Sequence, residues 1–339
     1  MDPGTFSAAK ARALAAAGVT RASVGVQSFD DALLAAANRP HTAAEAVAAV
    51  ERLAAAGLPY SLDLMCGLPG QDVAGWGADL AAATRLGAMH LSAYALELHP
   101  RTRWGRTYSA GVAPLPGEAA VVSMVADATA VLATAGLHRY EVSNWAVPGA
   151  EAVHNGVYWR NEPYYAVGVG ATSYVARRRY TRPATLAGYY TYVRRVQADG
   201  LEAVHGDVLP SSDAEELEDT ILMGARLLST GIPLSRLASR FGAPAAAAAV
   251  ASITRLGLVE AGLCHPLHTP AAAGPGTAAA PPPWAGANPG LAGVAADAAI
   301  RLTPAGALVE SSVVGAVLCE DVWEGLQLGQ GEGGGAVAA

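Results

Sequence analysis

The strongest constraint on the fold of this chain is the regular alternation of short apolar runs with helical patterns over residues 1–145. The sequence predicts strands at 22–29, 60–68, 90–98 and 139–145, and helices at 7–17, 30–37, 42–56, 73–86 and 117–135. The helix beginning at Thr42 is the clearest, because Glu45 completes a capping-box spacing and Gly57 supplies a stop. Strands that alternate with helices at this pitch are typical of parallel βαβ units, so an α/β fold is expected.

Composition and charge narrow the class of protein. The hydrophobic fraction is 52%, but much of it is alanine, which favours helices. No apolar run reaches the length of about 18 residues that a spanning helix needs, and the N-terminus has no signal-peptide pattern. A net charge of −7 argues against nucleic acid as the main partner, and the basic cluster at 177–182 is interpreted as a solvated loop. The sequence predicts a cytoplasmic protein that is not integral to a membrane and does not bind nucleic acid.

The cysteines and histidines form no local metal motif. Cys66, Cys264 and Cys319 lie far apart and make no CxxC or CxxxC pair, and a disulfide framework is not expected. The eight histidines include no HExxH or HxH, so a zinc site built by the protein is not expected either.

The pattern changes beyond residue 205, where three helices around a short strand pair suggest a winged-helix-like module. We expect a core domain at 1–205 and a helical domain at 206–325. Residues 262–298 are rich in Pro, Gly and Ala, and they are expected to form a disordered insertion in the wing. The tail at 326–339 is also expected to be disordered.

Polar residues mark the ends of the predicted strands. Ligands of parallel α/β folds bind at the carboxyl ends of strands, so these positions are candidates. A single such residue is more often structural, but several at matching heights favour a site. The candidates are Gln27, Ser28, Asp63, Glu97, His99, Glu141, Ser143 and Asn144.

Asp63 is the most informative of these residues. It interrupts an apolar strand, and a buried charge is costly unless it is paired, hydrogen-bonded or bound to a ligand such as a ribose hydroxyl. Arg39 could serve as its partner or as a second ligand contact, and the alternative is an exposed arginine at a helix boundary. The "GLPG" turn at 67–70 lets backbone approach a ligand closely, but it lacks the spacing and the lysine of a phosphate loop.

The hexapeptide "HNGVYW" at 154–159 is the densest polar and aromatic cluster. A neutral imidazole at His154, beside aromatic residues that could wall an apolar cavity, can ligate haem iron. If the hexapeptide stood alone, a structural histidine in a loop would be the better interpretation.

Six blocks, taken together and in order, resemble the HemW-type haem chaperones. These are relatives of the oxygen-independent coproporphyrinogen III oxidases in the radical S-adenosylmethionine (SAM) superfamily. The resemblance extends from residue 2 to residue 318, apart from 262–298, and HNxxYW is the block associated with the chaperone branch. The blocks are "GVQSFDDALL" with "NRPHTAAEAV", "SLDLMCGLPGQ", "HLSAYALELHPRT", "YEVSNWAVPG", "HNGVYW" and "RLTPAGALVE".

The resemblance implies a fold and a set of roles. The fold would be a partial (β/α) barrel of the radical SAM type, N-terminally truncated here, followed by the small winged-helix-like domain. SAM would lie at the carboxyl ends of the strands. The implied roles are SAM contacts for Gln27, Arg39 and Asp63, an adenine contact for Met65, a haem-iron ligand for His154, and walls of the porphyrin site for Tyr158 and Trp159.

One family feature does not occur in this sequence. Members of the family carry CxxxCxxC, whose thiolates hold a [4Fe–4S] cluster, and the three scattered cysteines here cannot replace that motif. The chain as written is therefore expected to carry out no radical chemistry. We also expect no detectable binding of SAM. A misassigned start or an incomplete fragment is the favoured explanation, because Met1 falls within a family motif, and a truncated paralogue is the alternative.

The leading hypothesis is a binding protein that holds haem through His154 and transfers it to haem enzymes. The alternative is an oxygen-independent coproporphyrinogen III oxidase, which would use SAM for an oxidative decarboxylation in porphyrin biosynthesis. A degenerate relative with no ligand is the third possibility. Whether the chain forms a homodimer is left open.

Overall fold

The structure, a computed structural model, describes residues 1–267, 291, 294 and 297–308. The chain forms two compact units, Met1–Glu151 and Ala152–Ala339. The expected division into a core at 1–205 and a module at 206–325 stays a prediction. Two segments were expected to be disordered, at 262–298 and 326–339. Residues 268–290 of the first segment and the whole of the second lie outside the described residues.

Strands and helices alternate in the first unit, as the sequence predicts. A 3₁₀ turn at Pro3–Thr5 precedes them. The helices are α1 (Ala8–Ala16), α2 (Asp31–Ala36), α3 (Ala43–Ala55), α4 (Val73–Arg85), α5 (Arg103–Thr107) and α6 (Glu118–Thr134), and the strands are β1 (Ala22–Gln27), β2 (Tyr60–Cys66), β3 (His90–Ala95), β4 (His138–Arg139) and β5 (Asn144–Ala146).

The predicted starts of several helices agree with the observed ones because capping side chains mark them in the sequence. Thr42 and Glu45 form the expected capping box at α3, and Asp30 and Asp72 accept backbone N–H groups at the starts of α2 and α4. Each cap of this kind contributes about 1 kcal/mol to helix stability.

The five strands form one open sheet in the order β1-β2-β3-β5-β4. The first three run parallel, as expected of a partial barrel, whereas β5 is antiparallel to both β3 and β4. The prediction of a single strand at 139–145 is therefore wrong. The chain reverses direction around Val142, where the C=O accepts hydrogen bonds from the Arg139 guanidinium, and two short strands result.

The two faces of the parallel strands differ in burial. On β2, Leu62, Leu64 and Cys66 are buried, and helices α3, α4 and α6 contact this strand. The alternate residues, Asp63 and Met65, are only half-buried. Because successive side chains of a strand point to opposite faces, one face forms the core and the other carries the polar groups.

The second unit is mainly helical. Its helices are α7 (Val153–Trp159), α8 (Leu186–Asp199), α9 (Leu201–His205), α10 (Asp213–Gly224), α11 (Leu234–Phe241), α12 (Ala243–Arg255) and α13 (Pro304–Leu308), and its strands are β6 (Thr172–Val175), β7 (Arg178–Thr181), β8 (Ile232–Pro233) and β9 (Ala299–Ile300). Strands β6 and β7 form one antiparallel hairpin, and β8 pairs with β9. Helices α10, α11 and α12 with the β8–β9 pair match the three helices and short strand pair of the predicted winged-helix-like module.

The core of the second unit draws on both ends of the segment at 262–298. Cys264 forms a β-bridge with Leu302, and Leu267, Leu291 and Val294 are buried in the same cluster. These four residues are packed in the core, and the expected disorder of the rest of the segment stays a prediction. Within the part of the chain that the structure describes, no helix is long and apolar enough to cross a membrane.

A buried histidine predicts that the first unit is sensitive to acid. His90 begins β3, is 3% exposed, and its Nε2 lies 2.9 Å from the Tyr140 hydroxyl. Burial, with a smaller effect of the Arg21 charge, lowers the pKa of His90 to about 4 from its ordinary 6.5. The unfolded chain therefore takes up this proton at a higher pH than the folded chain does.

The contribution of neutral His90 to stability is complete above about pH 6.5 and is lost as the pH falls towards 4. We expect the free energy of unfolding of the first unit to fall by about 3 kcal/mol over that window, as measured by urea denaturation at a series of pH values. A His90→Gln variant should lose most of this dependence. A wild-type profile as flat as that of the variant would contradict the prediction.

Candidate functional site

The polar face of the sheet in the first unit centres on Asp63. This residue lies in the middle of β2, in register with Gly25 of β1 and Ser92 of β3. The Ser23 hydroxyl donates to Asp63 Oδ2, and Ser92 also hydrogen-bonds to the carboxylate. Burial raises the pKa of Asp63, although both hydrogen bonds act to lower it. The sequence left open whether Asp63 is paired, hydrogen-bonded or bound to a ligand. In the structure its carboxylate is hydrogen-bonded to neighbouring strands of the sheet.

Gln27 ends β1 at an irregularity in the strand. The register with β2 shifts between Gly25 and Gln27, and the φ angle of Gln27 is 69°, in the left-handed region that non-glycine residues seldom adopt. Bulges re-aim the side chain that follows them, and residues held in such backbone conformations cluster at functional sites. Gln27 Nε2 lies 3.0 Å from the position that a Cβ on Gly25 would take.

The missing side chain of Gly25 leaves a small polar cradle, formed by Gly25, Gln27, Arg39 and Asp2. Arg39 Nη2 and Asp2 Oδ1 lie 3.5 and 3.6 Å from the same Cβ position, and these two groups form an ion pair. Arg39 pairs with Asp2 and not with Asp63, so that suggested pairing is wrong. Arg39 Nε is buried with no hydrogen-bond partner among the described residues. An amide, a guanidinium and a carboxylate therefore lie close together beside Gly25.

Met65 follows Asp63 on the same face of β2. It is half-buried and lies in register with Tyr94 of β3. A thioether adapts readily to aromatic rings, so its position suits the contact with adenine that the resemblance implies. The structure therefore brings Asp63 and Met65 onto one face and places Gln27 and Arg39 beside them, whereas the binding of SAM by these residues stays a prediction.

Other predicted strand-end residues lie apart from this cluster. His99 Nδ1 accepts the Arg101 N–H at 3.2 Å in a local turn. Glu141 is fully buried and accepts the Ser143 N–H at 2.7 Å, which is a structural role. Glu97 faces an open pocket of about 470 Å³ beyond the carboxyl ends of β2 and β3. The pocket is lined by Gly67, Leu96, Glu97, Leu98, Ala110, Gly111, Leu115, Pro116, Glu118 and Val121.

The buried carboxylate of Asp79 in α4 was not among the residues that the sequence singled out. Asp79 is 3% exposed, and it accepts hydrogen bonds from the Phe29 N–H at 2.6 Å and the Ser28 hydroxyl at 2.9 Å. The side-chain amide of Gln71 lies 3.3 Å both from Asp79 Oδ2 and from the Met65 C=O. The Asp79 cluster, made of Asp79, Ser28, Phe29 and Gln71, thus ties the end of β1 to the end of β2.

A signal for Asp79 was present in the sequence. It lies three residues after Trp76 and one before Leu80, and both of these are fully buried on the inner face of α4. A lone carboxylate at such a helical position needs buried donors, which is the same argument that singled out Asp63.

The hexapeptide 154–159 forms a helix in the second unit, not a loop. His154 is exposed, and its Nε2 lies 2.8 Å from the Tyr158 hydroxyl one turn later. Their rings meet edge to face at 4.9 Å between centroids, and Tyr158 contacts Tyr164 in the same manner at 4.6 Å. Residues four apart share one face of a helix, which explains why His154 and Tyr158 meet.

Trp159 does not join this pair. It lies five residues after His154 on another part of the helix, where the Arg226 guanidinium stacks over its ring at 4.6 Å. The Trp159 Nε1 is buried with no hydrogen-bond partner in the described part of the chain. The role of Trp159 as a wall of a porphyrin site stays a prediction, as do those of His154 and Tyr158.

Metal-ligand side chains do not cluster in the part of the chain that the structure describes. Among the described residues, no group of three or more His, Cys, Asp or Glu could hold an ion. Cys66 and Cys264 are buried free thiols, and burial raises the pKa of each to about 11. Cys319 lies outside the described residues.

The chain is similar to known proteins in both sequence and fold. The family model described as the radical SAM superfamily matches residues 2–80. The "Heme chaperone HemW" of Synechocystis sp. is 36% identical over 240 residues, which cover 70% of this chain and 57% of that protein. The Bacillus subtilis protein of the same name is 32% identical over 242 residues, covering 71% and 62%. The chain thus spans about three fifths of the length of these relatives.

A solved structure shares the fold of this chain. The Escherichia coli coproporphyrinogen III oxidase (HemN), described as a radical SAM enzyme, superposes with a TM-score of 0.67 over 94% of this chain and 68% of that chain. At 17% identity this likeness concerns the fold alone. The sequence matches and the shared fold agree, and together they support the assignment of this chain to a HemW-type radical SAM family.

Proposed function

We propose that this protein binds haem through His154 and passes it to haem enzymes in the cytoplasm, as the name of its relatives suggests. The observation that supports the proposal is the exposed His154 with its hydrogen bond to Tyr158. An exposed imidazole can approach the iron of a planar ligand without any rearrangement of the core.

The hydrogen bond to Tyr158 sets which nitrogen is open to iron. In the tautomer that carries its proton on Nε2, this N–H donates to the Tyr158 oxygen, and Nδ1 keeps a lone pair for the metal. A partner on the second nitrogen also orients the ring and makes it a better ligand. Tyr158 and Tyr164 extend the aromatic surface beside His154, and such surfaces suit the face of a porphyrin.

We expect haem affinity to fall at least tenfold in a His154→Ala variant, a loss of about 1.4 kcal/mol or more, together with loss of the absorption spectrum of histidine-ligated haem. Tyr158→Phe removes only the hydroxyl, so it should retain haem with a smaller loss of affinity. His138→Ala, at an exposed histidine of the first unit, is the matched control and should bind as the wild type does. Equal affinity and spectra for the wild type and His154→Ala would contradict the proposal.

The first unit is proposed to retain the SAM-binding residues of the family, Gln27, Arg39, Asp63 and Met65. SAM, when bound with its cluster in this superfamily, supplies radical chemistry. In such a site, the residues around Gly25 would hold the polar groups of SAM. Met65 would contact the apolar part of SAM. The oxidase alternative stays a prediction, because the likeness to HemN concerns the fold alone.

A further inference from the structure

Four arginines lie close together on the β6–β7 hairpin, and one of them differs from the rest. Arg177, Arg178 and Arg179 form ion pairs with Asp213, Glu202 and Asp219, respectively. Arg182 forms no ion pair with any described carboxylate, although it is only 9% exposed. The interpretation of the cluster as a solvated loop is therefore wrong for Arg182, which is buried, and for the backbone at Arg178–Thr181, which forms β7.

The polar contacts of Arg182 are few. Its Nη1 donates to the Ser173 hydroxyl at 2.9 Å and lies 3.4 Å from the Ala171 C=O. Both of these acceptors are neutral, so no anion among the described residues pairs with the guanidinium. A buried cation without an anion is costly, and aromatic faces offset only part of that cost.

Aromatic rings surround Arg182. The guanidinium carbon lies 5.8 Å from the centre of the Tyr180 ring and 5.9 Å from that of Tyr192. His205 stacks on Tyr180 at 4.1 Å, and its Nε2 lies 3.2 Å from the Tyr192 hydroxyl. Arg182, Tyr180, Tyr192 and His205, here called the Arg182 cluster, therefore form one compact group.

The hydroxyl of Tyr180 is a second, independent observation. Tyr180 is 6% exposed, and its oxygen is buried with no hydrogen-bond partner among the described residues. Buried hydroxyl groups nearly always have a partner, so this hydroxyl has a hydrogen bond available for a group that no described residue provides. Tyr180 and Arg182 are two residues apart on extended backbone, which places their side chains on one face of the hairpin.

The electrostatics of the cluster favour an anion. Burial and the charge of Arg182 lower the pKa of His205, against an opposing effect of Asp207. The imidazole therefore tends to stay neutral, and Arg182 carries the charge of the cluster. The Arg182 cluster lies on one face of the hairpin, where Tyr180 is in register with Ser173. Tyr174 lies on the opposite face, which is directed towards α10.

We propose that the Arg182 cluster binds the oxyanion of a small molecule, a carboxylate or a phosphate. The free edge of the guanidinium would donate two N–H groups to the anion, a geometry that arginine provides for both classes. The Tyr180 hydroxyl would donate a third hydrogen bond. This site is independent of haem binding, because none of its residues belongs to the helix that carries His154.

Titration of the full chain with inorganic phosphate and, separately, with acetate tests the proposal by calorimetry. We expect saturable binding of at least one anion in about the millimolar range. Binding should also raise the pKa of His205, read from its imidazole NMR signals, because the anion offsets the charge of Arg182. Phosphate binding alone would assign a phosphate ester, and acetate binding alone a carboxylate.

Two variants separate a binding site from a structural cluster. Arg182→Gln should weaken anion binding at least tenfold and remove the shift of His205. Tyr180→Phe keeps the ring and removes only the unpartnered hydroxyl, so it should fold normally and bind about threefold to tenfold more weakly. Arg177→Gln, which disrupts an exposed ion pair on the same hairpin, should bind as the wild type does. No saturable binding of either anion by the wild type, or unchanged binding in Tyr180→Phe, would overturn the proposal.

Discussion

Replacement of Glu216 by alanine is expected to destabilise the second unit by about 4 kcal/mol. Glu216 is 1% exposed in α10, and it accepts the Tyr174 hydroxyl at 2.5 and 2.6 Å and forms an ion pair with Arg240 of α11. Asn161, just after α7, donates to Glu216 at 3.5 Å. Loss of the carboxylate would leave a guanidinium and a buried hydroxyl without their acceptor, which costs more than the bonds themselves contribute.

Urea denaturation followed by the signals of the second unit would measure this loss. Glu218→Ala is the matched control, because Glu218 is exposed on the same helix and the same atoms are removed. We expect the control to change stability by less than about 0.5 kcal/mol. Equal effects of the two substitutions would show that Glu216 does not hold α7, α10 and α11 together.

An Asp79→Asn variant is expected to lose about 1 to 3 kcal/mol of stability in the first unit. The groups that face Asp79 are the Ser28 hydroxyl, the Phe29 N–H and the Gln71 amide, and all of them donate. Asparagine has one acceptor oxygen and presents an NH₂ group to the remaining donors, so it cannot satisfy them. The substitution preserves shape and removes only the second acceptor and the charge.

The effect should reach the polar face of the sheet. Ser28 follows Gln27, and Gln71 holds the Met65 C=O, so loss of the Asp79 cluster should loosen both strand ends and speed amide hydrogen exchange there. Asp127→Asn, a partly exposed position on α6, is the control for the same chemical change. If Asp79→Asn denatured at the same urea concentration as Asp127→Asn, the assignment of Asp79 as the junction of β1 and β2 would be wrong.

Much of the first unit could be predicted because its signals are local. The capping box of α3 depends on Thr42 and Glu45, three residues apart, and the buried face of β2 depends on alternation within seven residues. The strand at 139–145 was predicted wrongly, because its apolar and polar pattern does not distinguish one strand from a tight reversal. Pairing of β5 with β3 and β4 decides that question, and that pairing is not local.

The candidate sites could be predicted in part. The rule that ligands bind at strand ends identified Gln27 and Asp63, and the structure places them around Gly25. It did not identify Arg39 as the partner of Asp2, because that contact joins residues 37 positions apart. In the second unit, the helical spacing of His154 and Tyr158 produces their hydrogen bond, whereas Trp159 packs under Arg226 for reasons that no local pattern contains.

The sequence by itself determined the order of strands and helices in the first unit, most of their boundaries, the families it resembles and the candidate residues at the strand ends. These follow from periodicity and from caps that act within about one helical turn. Only the tertiary structure decided which buried charges have partners: Asp79 has the donors of a strand end 50 residues away, Glu216 has Arg240, and Arg182 has no described carboxylate. The reason is physical, since the cost of a buried charge depends on the groups that strand order and helix packing bring to it.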